Sequence, residues 1–463
     1  MKQEKKMDVR TRSFLTAILV IFVLMIAAYI LTMVVPAGEY ARVTDQNGNT
    51  IIADQNSYTP TQGGLPFWKW VLSPVLSLTV SGGGTLIAVI AFLLIIGGVF
   101  GSLEKGGLMR YILDKTTHKF CHVRYRLLAL VSLLFMAMGA MIGSFEECVP
   151  MVPICVALAV NLGWDKTTGI GMSLLAVGCG FASGVCNPFT VGVAQELAGL
   201  PMFSGAWMRL LSFGLIYGLL FWFLRRHAKK VETTPTAIGE TFVADPKMDK
   251  GLTCFVVILG IGIAAVFSSG FIPALRDLTM IIVGVTFLVA GIVSTLVSGM
   301  SGKDLGKSFL SGLVAMLPAV LMILMASSIR YTLEEAKVLD TLLHSAIDLA
   351  KNMPKGVVVV FIYLLVLCMN FFISSGSAKA FMIIPLIVPM AQAFGISSQL
   401  CVLAYAFGDG FSNVLYPTNP ALLISLGLAD VSYGKWFKWS VKFQLLNLLL
   451  TTGLLLLGLA IGY

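Results

Sequence analysis

Four charged side chains stand where a membrane-buried chain should carry none. Glu146, Glu147, Lys379 and Asp409 fall within long apolar segments, and Ser144, Asn187, Thr190, Ser375, Ser377, Ser412, Asn413, Thr418 and Asn419 lie near them in sequence. Burying one ionised side chain in hydrocarbon costs at least about 2.5 to 3.5 kcal/mol, so a charge kept there is expected to bind a solute or an ion. Carboxylates accept ammonium groups, Na+ or protons. A lysine holds a carboxylate or stands in for a cation, and the hydroxyls and amides suit a polar solute, a cation or a helix cap. Candidate Na+ or proton sites fall near Asp409, Ser412 and Asn413 and near Ser144 and Asn187.

The parts of a catalyst are missing. All four histidines (His118, His122, His227, His344) fall in polar loops or their flanks, and neither His-Glu-x-x-His nor Gly-x-Ser-x-Gly occurs. That argues against an enzyme, and no organic cofactor is expected. Seven of the eight cysteines sit in apolar stretches with no Cys-x-x-Cys, which reads as core packing rather than a disulfide or thiolate metal framework.

Composition sets the class of the elements that must hold these residues. Hydrophobic residues make up 57% and charged residues 12% of 463 positions, with a mean hydropathy of +0.90. A soluble domain carries about 25% charge, so this is an all-α polytopic membrane protein. The formal charge of +9 follows from basic inner loops and implies no nucleic acid partner. The first apolar run, Phe14 to Val35, exceeds a signal peptide core of about 7 to 15 residues and reads as a retained helix.

Lysine and arginine concentrate in segments 1–13, 102–127, 225–250, 300–307 and 430–442. By the positive-inside rule these are cytoplasmic, which puts the N-terminus inside and the C-terminus outside. Segments 36–71 and 330–355 are balanced or acidic and read as external. Leu108 to Phe120 can form an amphipathic helix at the inner surface. Helices are expected over about 14–35, 84–101, 206–224, 251–271, 278–299 and 308–329, with a last one leading to the C-terminus.

Two further units repeat. Short apolar arms of about 15 to 17 residues flank Ile142 to Glu147 (residues 127–163) and again Ser374 to Lys379 (356–395). At 1.5 Å per residue, 16 residues reach only about 24 Å against a core near 30 Å, so re-entrant hairpins fit. Each hairpin is followed by an interrupted helix: 166–198, broken near Ser183 to Pro188, and 398–428, broken at Gly408 to Asn413 and Tyr416 to Pro420. Pro153 and Pro385, Gly163 and Gly395, and Asn187-Pro188 and Asn419-Pro420 match at a spacing of 232. The loop before the first unit is basic and that before the second is balanced, so the two enter from opposite faces. The organisation is then a first inverted repeat over 1–227, a cytoplasmic linker over 228–250, a connecting helix over 251–277 and a second repeat over 278–463. That totals about nine spanning helices plus two hairpins, the pattern of a secondary transporter with its site near the midplane. The spacing also sets Glu147 opposite Lys379. A site with one acid and one base suits an amino acid better than a dicarboxylate; in a competing arrangement Lys379 pairs with Asp409 and replaces a coupling cation. Asp165, Lys166, Glu196 and Arg209 fall near helix ends and read as interfacial charges.

At these residues the chain resembles the YfcC family, relatives of the anaerobic four-carbon dicarboxylate carriers in the ion transporter superfamily. The resemblance rests on Val35-Pro36-Ala37-Gly38-Glu39-Tyr40, Leu94-Ile95-Ile96-Gly97-Gly98, Gly143 to Glu147, Asn187-Pro188-Phe189, Asn370 to Lys379, Phe407 to Asn413 and Tyr433-Gly434-Lys435-Trp436. It implies a homodimer in a prokaryotic cytoplasmic membrane, with an elevator-like transport domain that holds both hairpins and both broken helices. The tips lack the Ser-Asn-Thr of the sodium-dicarboxylate relatives, so Na+ coupling does not carry over. The expected function is secondary transport of a small polar solute, by symport or exchange: an amino acid, of the basic kind if the YfcC label holds, with a dicarboxylate as the alternative and a channel as the remaining one.

Overall fold

The computed structural model describes residues 2–44, 50–52, 56–80, 83–143, 145–235, 243–269, 279–351 and 353–463. The chain is mostly helical. Among the described residues six helices are long and apolar enough to cross a membrane: Leu86–Lys105, Arg124–Met141, Lys166–Leu197, Ala206–Val231, Gly376–Ala393 and Tyr433–Ile461. Shorter apolar helices run over Ile18–Val34, Ile281–Val297, Lys355–Met369 and Pro420–Ala429. The amphipathic segment Leu108–Phe120 is helical.

The most hydropathic stretch of Lys166–Leu197 is 94% buried, against 28% for that of Tyr433–Ile461. Its glycines, alanines and β-branched residues leave no polar face, so it is packed on all sides and forms the centre of the molecule. The helix stops at Ser183, where Gly184 takes a left-handed φ of +49°. It resumes at Pro188, where Asn187 accepts hydrogen bonds from the Phe189 and Thr190 amides. The second interrupted helix resumes in the same way: Asn419 accepts from the Leu422 amide and Pro420 occupies the first turn. Proline at that position loses no bond, because first-turn amides have no partner within the helix. Gly163 (φ +85°) and Gly395 (φ +66°) close the two hairpins. Two residues beyond each, Asp165 and Ser397 cap the next helix by accepting from Thr168 and Leu400.

Several boundaries differ from those read in the sequence. The hairpin arms are unequal: Arg124–Met141 has 18 residues and Val152–Asn161 only 10, joined by a 3₁₀ turn over Glu146–Met151. In the second hairpin Lys355–Met369 has 15 and Gly376–Ala393 has 18. The helix expected over 308–329 is two helices, Gly302–Val314 and Leu317–Glu335, because Pro318 starts a new first turn. The loop expected over 36–71 holds two small antiparallel pairs, Gly38–Glu39 with Thr59–Pro60 and Arg42–Thr44 with Thr50–Ile52.

The second break begins at Asn413, not Gly408, so Asp409 lies inside the helix Ser398–Ser412. The glycines around it serve packing. A Cβ on Gly410 would come 2.2 Å from Ala182 Cα in the first interrupted helix, and one on Gly408 would come 2.7 Å from Val366 Cβ in the hairpin arm. Three helices close on Asp409 because both its neighbours lack side chains.

Candidate functional site

The two hairpin tips meet across a cavity of about 870 Å³. Glu146 and Glu147 line one wall, and Ser374 to Ala378, the start of an 18-residue helix, line another. Asn413 and Pro420 of the second break complete the inner surface. At the mouth lie Arg42, Arg330 and Lys337, each with an acidic partner. Arg42 donates to both oxygens of Asp340 at 3.0 and 2.9 Å, Arg330 to Glu334 at 2.8 Å and Lys337 to Glu39 at 2.8 Å. Burial pushes the Asp340 carboxyl up against the opposing pull of Arg42. Among the described residues, Glu146 and Glu147 are therefore the cavity charges in no ion pair. Glu147 Oε2 is buried without a hydrogen-bond partner.

Lys379 is turned away from this cavity. It is wholly buried, and its Nζ donates to Asp409 Oδ1 at 2.5 Å, to the Ile373 carbonyl at 3.3 Å and to Asn370 Oδ1. Asn370 in turn donates to Ser412 Oγ at 2.7 Å, Asn413 Oδ1 at 3.0 Å and the Asp409 carbonyl at 3.1 Å. Asn413 donates to the Asp409 carbonyl at 3.0 Å and accepts from Asn419 at 3.0 Å. The side chains thus satisfy the backbone that the break leaves open, as burial requires. Tyr405 donates to the Gly376 carbonyl, tying the start of the hairpin helix to the same core.

Around the first break, the Cys186 amide donates to the Ala140 carbonyl at 3.0 Å. Asn187 packs so closely on Gly143 that a Cβ there would lie 2.3 Å from its Oδ1. Each break is thereby fastened to the tip of its own hairpin.

Of the residues singled out in the sequence, Glu146, Glu147, Ser375, Ser377 and Asn413 line the cavity. Asn187, Thr190, Lys379, Asp409, Ser412, Thr418 and Asn419 are buried behind it, and Ser144 lies outside the described residues. Asn187 Nδ2, Thr190 Oγ1, Thr418 Oγ1 and Asp409 Oδ2 are buried without partners. The sequence does not mark the mouth charges as site residues, because Arg42 and Asp340 are 298 positions apart; only the i, i+4 spacing of Arg330 and Glu334 is a local signal.

Arg209 corrects an expectation. It is fully buried rather than interfacial, donating to the Val185 carbonyl at 3.3 Å, the Phe203 carbonyl at 3.1 Å and the Tyr463 hydroxyl at 3.4 Å. Val185 belongs to the first break. In the second break the Val414 carbonyl accepts from Trp436 Nε1 at 2.7 Å.

The family model for the C4-dicarboxylate anaerobic carriers, DcuC, matches residues 14–461. The chain belongs to that family. Among curated relatives, the Escherichia coli (strain K12) protein YfcC, provisionally named a basic amino acid antiporter, is 30% identical over 77% of this chain and 74% of its own. A citrate transporter of Bacillus subtilis (strain 168) is 24% identical over 66% of this chain and 71% of its own. Two solved transporters align with a TM-score of 0.45. YdaH of Alcanivorax borkumensis is 18% identical, covering 97% of this chain and 99% of its own. MtrF of Neisseria gonorrhoeae is 16% identical, covering 95% and 94%. This DcuC-family chain is accordingly a membrane transporter of the prokaryotic inner membrane and not an enzyme.

Proposed function

We propose that this transporter moves a small polar solute, an amino acid, by secondary active transport, as a symporter or exchanger. The observation that carries this reading is the pairing of charge across the cavity. Glu146 and Glu147 offer two carboxyl groups in no ion pair at one tip, and an arriving ammonium group would favour their ionised form. The other tip presents the first turn of Gly376–Ala393, where free amides and the helix dipole favour an anion, with the Ser375 and Ser377 hydroxyls beside them. An ammonium group and a carboxylate on one small solute satisfy both ends. The Ser375 side chain already caps the Ala378 amide at 3.4 Å, which leaves the amides before it for the solute.

A dicarboxylate is the second reading, favoured by the family and by the citrate transporter among its relatives. It would have to place an anion beside two carboxylates with no intervening cation, which the cavity lining disfavours.

The matched hairpin closures and break caps at a spacing of 232 support two repeats, and the distribution of Lys and Arg among the loops supports their inversion, with the N-terminus cytoplasmic and the C-terminus outside. The fastening of each break to its own hairpin tip supports a transport domain that moves as a unit, in the elevator manner; the homodimer rests on the family resemblance alone. Counterflow of radiolabelled arginine, lysine, serine and succinate in proteoliposomes tests the substrate. Amino acid counterflow without succinate counterflow is expected; the reverse would establish the dicarboxylate reading.

A further inference from the structure

The contacts of Lys379 form a cation's coordination shell. Asn370 Oδ1, the Ile373 carbonyl and Asp409 Oδ1 converge on one Nζ that has no exposure to solvent. Asn370, Ser412 and Asn413 hold one another, so these oxygens are fixed before any ligand arrives. Neutral oxygens joined by one carboxylate, at a hairpin tip beside a helix break, are the donor set a monovalent metal ion would use.

We propose that the Lys379 ammonium permanently fills a monovalent-cation seat at Asp409, so that this carrier binds no Na+ there. An ion-coupled carrier harvests a gradient because its ion arrives from one side and leaves on the other, neutralising the site only while bound. A cation on a covalent tether cannot leave, so Asp409 is neutralised at every stage of the cycle. Coupling through this seat is then absent: of the residues expected to bind Na+, Asp409 is a partner of the lysine, and Ser412 and Asn413 hold the Asn370 that the lysine also bonds. The inference draws on the transport reading only for this consequence; the seat can be tested without transport.

The test uses the purified full chain, unfolded by heat in choline chloride, sodium chloride and methylammonium chloride. The wild type should unfold at one temperature in all three. Lys379→Ala should unfold well below it in choline, because a buried carboxylate has lost its partner, and should recover in Na+ or methylammonium. Lys379→Ala with Asp409→Asn should regain stability and lose the response to both cations. A Na+-specific rise in the wild type overturns the proposal, as does a Lys379→Ala chain, folded or not, that neither salt rescues. In proteoliposomes, wild-type amino acid uptake should be equal in Na+ and choline, and Lys379→Ala should acquire a Na+ requirement. Wild-type uptake driven by Na+ would overturn the seat and leave the transport reading standing. Equal unfolding in the three salts with no amino acid uptake at all would overturn the substrate and leave the seat standing.

Discussion

Gly376 lies directly against the unbonded oxygen of Asp409: a Cβ at 376 would stand 2.6 Å from Asp409 Oδ2 and 2.5 Å from Thr190 Cγ2. Neither neighbour can retreat, since Asp409 is held by Lys379 and both residues are buried. This contact brings the first turn of the second hairpin helix onto both interrupted helices at once. Gly376→Ala should therefore cut the rate of uptake at least tenfold and cost about 1 to 3 kcal/mol of stability through overpacking. Gly434→Ala, where nothing lies within 4 Å, is the control and should leave both unchanged or raise stability slightly. Equal behaviour of the two variants in uptake and thermal unfolding would show that the Gly376 contact carries no weight.

How far the sequence reaches is visible around that contact. The membrane class and the polar tips follow from hydropathy, because apolar length and isolated charge are properties of the chain itself. The choice between the two partners of Lys379 does not follow: the structure has the pairing with Asp409, and Lys379 does not face Glu147 across the cavity. A spacing of 232 sets backbone positions opposite one another, but a lysine side chain is long enough to turn from the cavity into the protein, and only packing decides which way it goes. Asp409 lies in the helix rather than the break for a related reason: glycines on both sides read as a break in the sequence, whereas here they admit Ala182 and Val366. Arg209 looked interfacial because it begins a helix. It is buried because the broken backbone beside it leaves carbonyls that need a donor.

Arg209 should prove structural to a degree that a surface arginine is not. Its three acceptors are spread over Val185, Phe203 and Tyr463, which suits the planar fork of a guanidinium and not the single point of an ammonium. Arg209→Lys should lower stability by about 2 kcal/mol, judged from the loss of charge-assisted bonds to buried carbonyls. Arg226→Lys, on the exposed face of the same helix, should change it by less than about 0.5 kcal/mol. Thermal unfolding in detergent distinguishes them, and similar midpoints for the two variants would contradict the assignment.

Asp165 sets a pH dependence. Burial by itself would raise its carboxyl, but the hydrogen bond with His227, those from the Thr168 hydroxyl and amide, and the charge of His227 outweigh it and hold the group well below the usual carboxylate range. A depressed value means that the folded chain favours the ionised form. The stabilisation is thus complete above about pH 4 and is lost as the pH falls below it toward the folded value. Asp165→Asn should be less stable than the wild type near neutrality, by about 1 kcal/mol from the weakened cap and lost charge. The gap should narrow below about pH 4. A gap that stays constant across that range would mean that the carboxylate charge contributes nothing.

In the proposed reading the two cavity carboxyls select the substrate. Glu146 and Glu147 stand on the short 3₁₀ turn of the first hairpin, and the basic residues at the mouth are already paired with Asp340, Glu334 and Glu39. An ammonium group that enters finds two carboxyls with no cationic partner and favours their ionised form, whereas a second carboxylate finds no group of opposite charge beside them. Replacing one acid by its amide keeps the shape of the tip and removes one charge. Glu147→Gln should raise the apparent KM for arginine or lysine about tenfold or more, equivalent to at least about 1.4 kcal/mol, a modest share of what one close charge contact supplies at an effective dielectric near 20. A zwitterionic amino acid should be affected in the same direction, and succinate should be transported no worse than before. Initial-rate uptake by proteoliposomes containing the wild type, Glu146→Gln and Glu147→Gln provides the comparison. An unchanged KM for every amino acid in both variants would remove these carboxylates from the binding site. Wild-type transport of succinate alone would do the same, and the positive end of the Gly376–Ala393 helix would then be the feature around which a dicarboxylate site must be built.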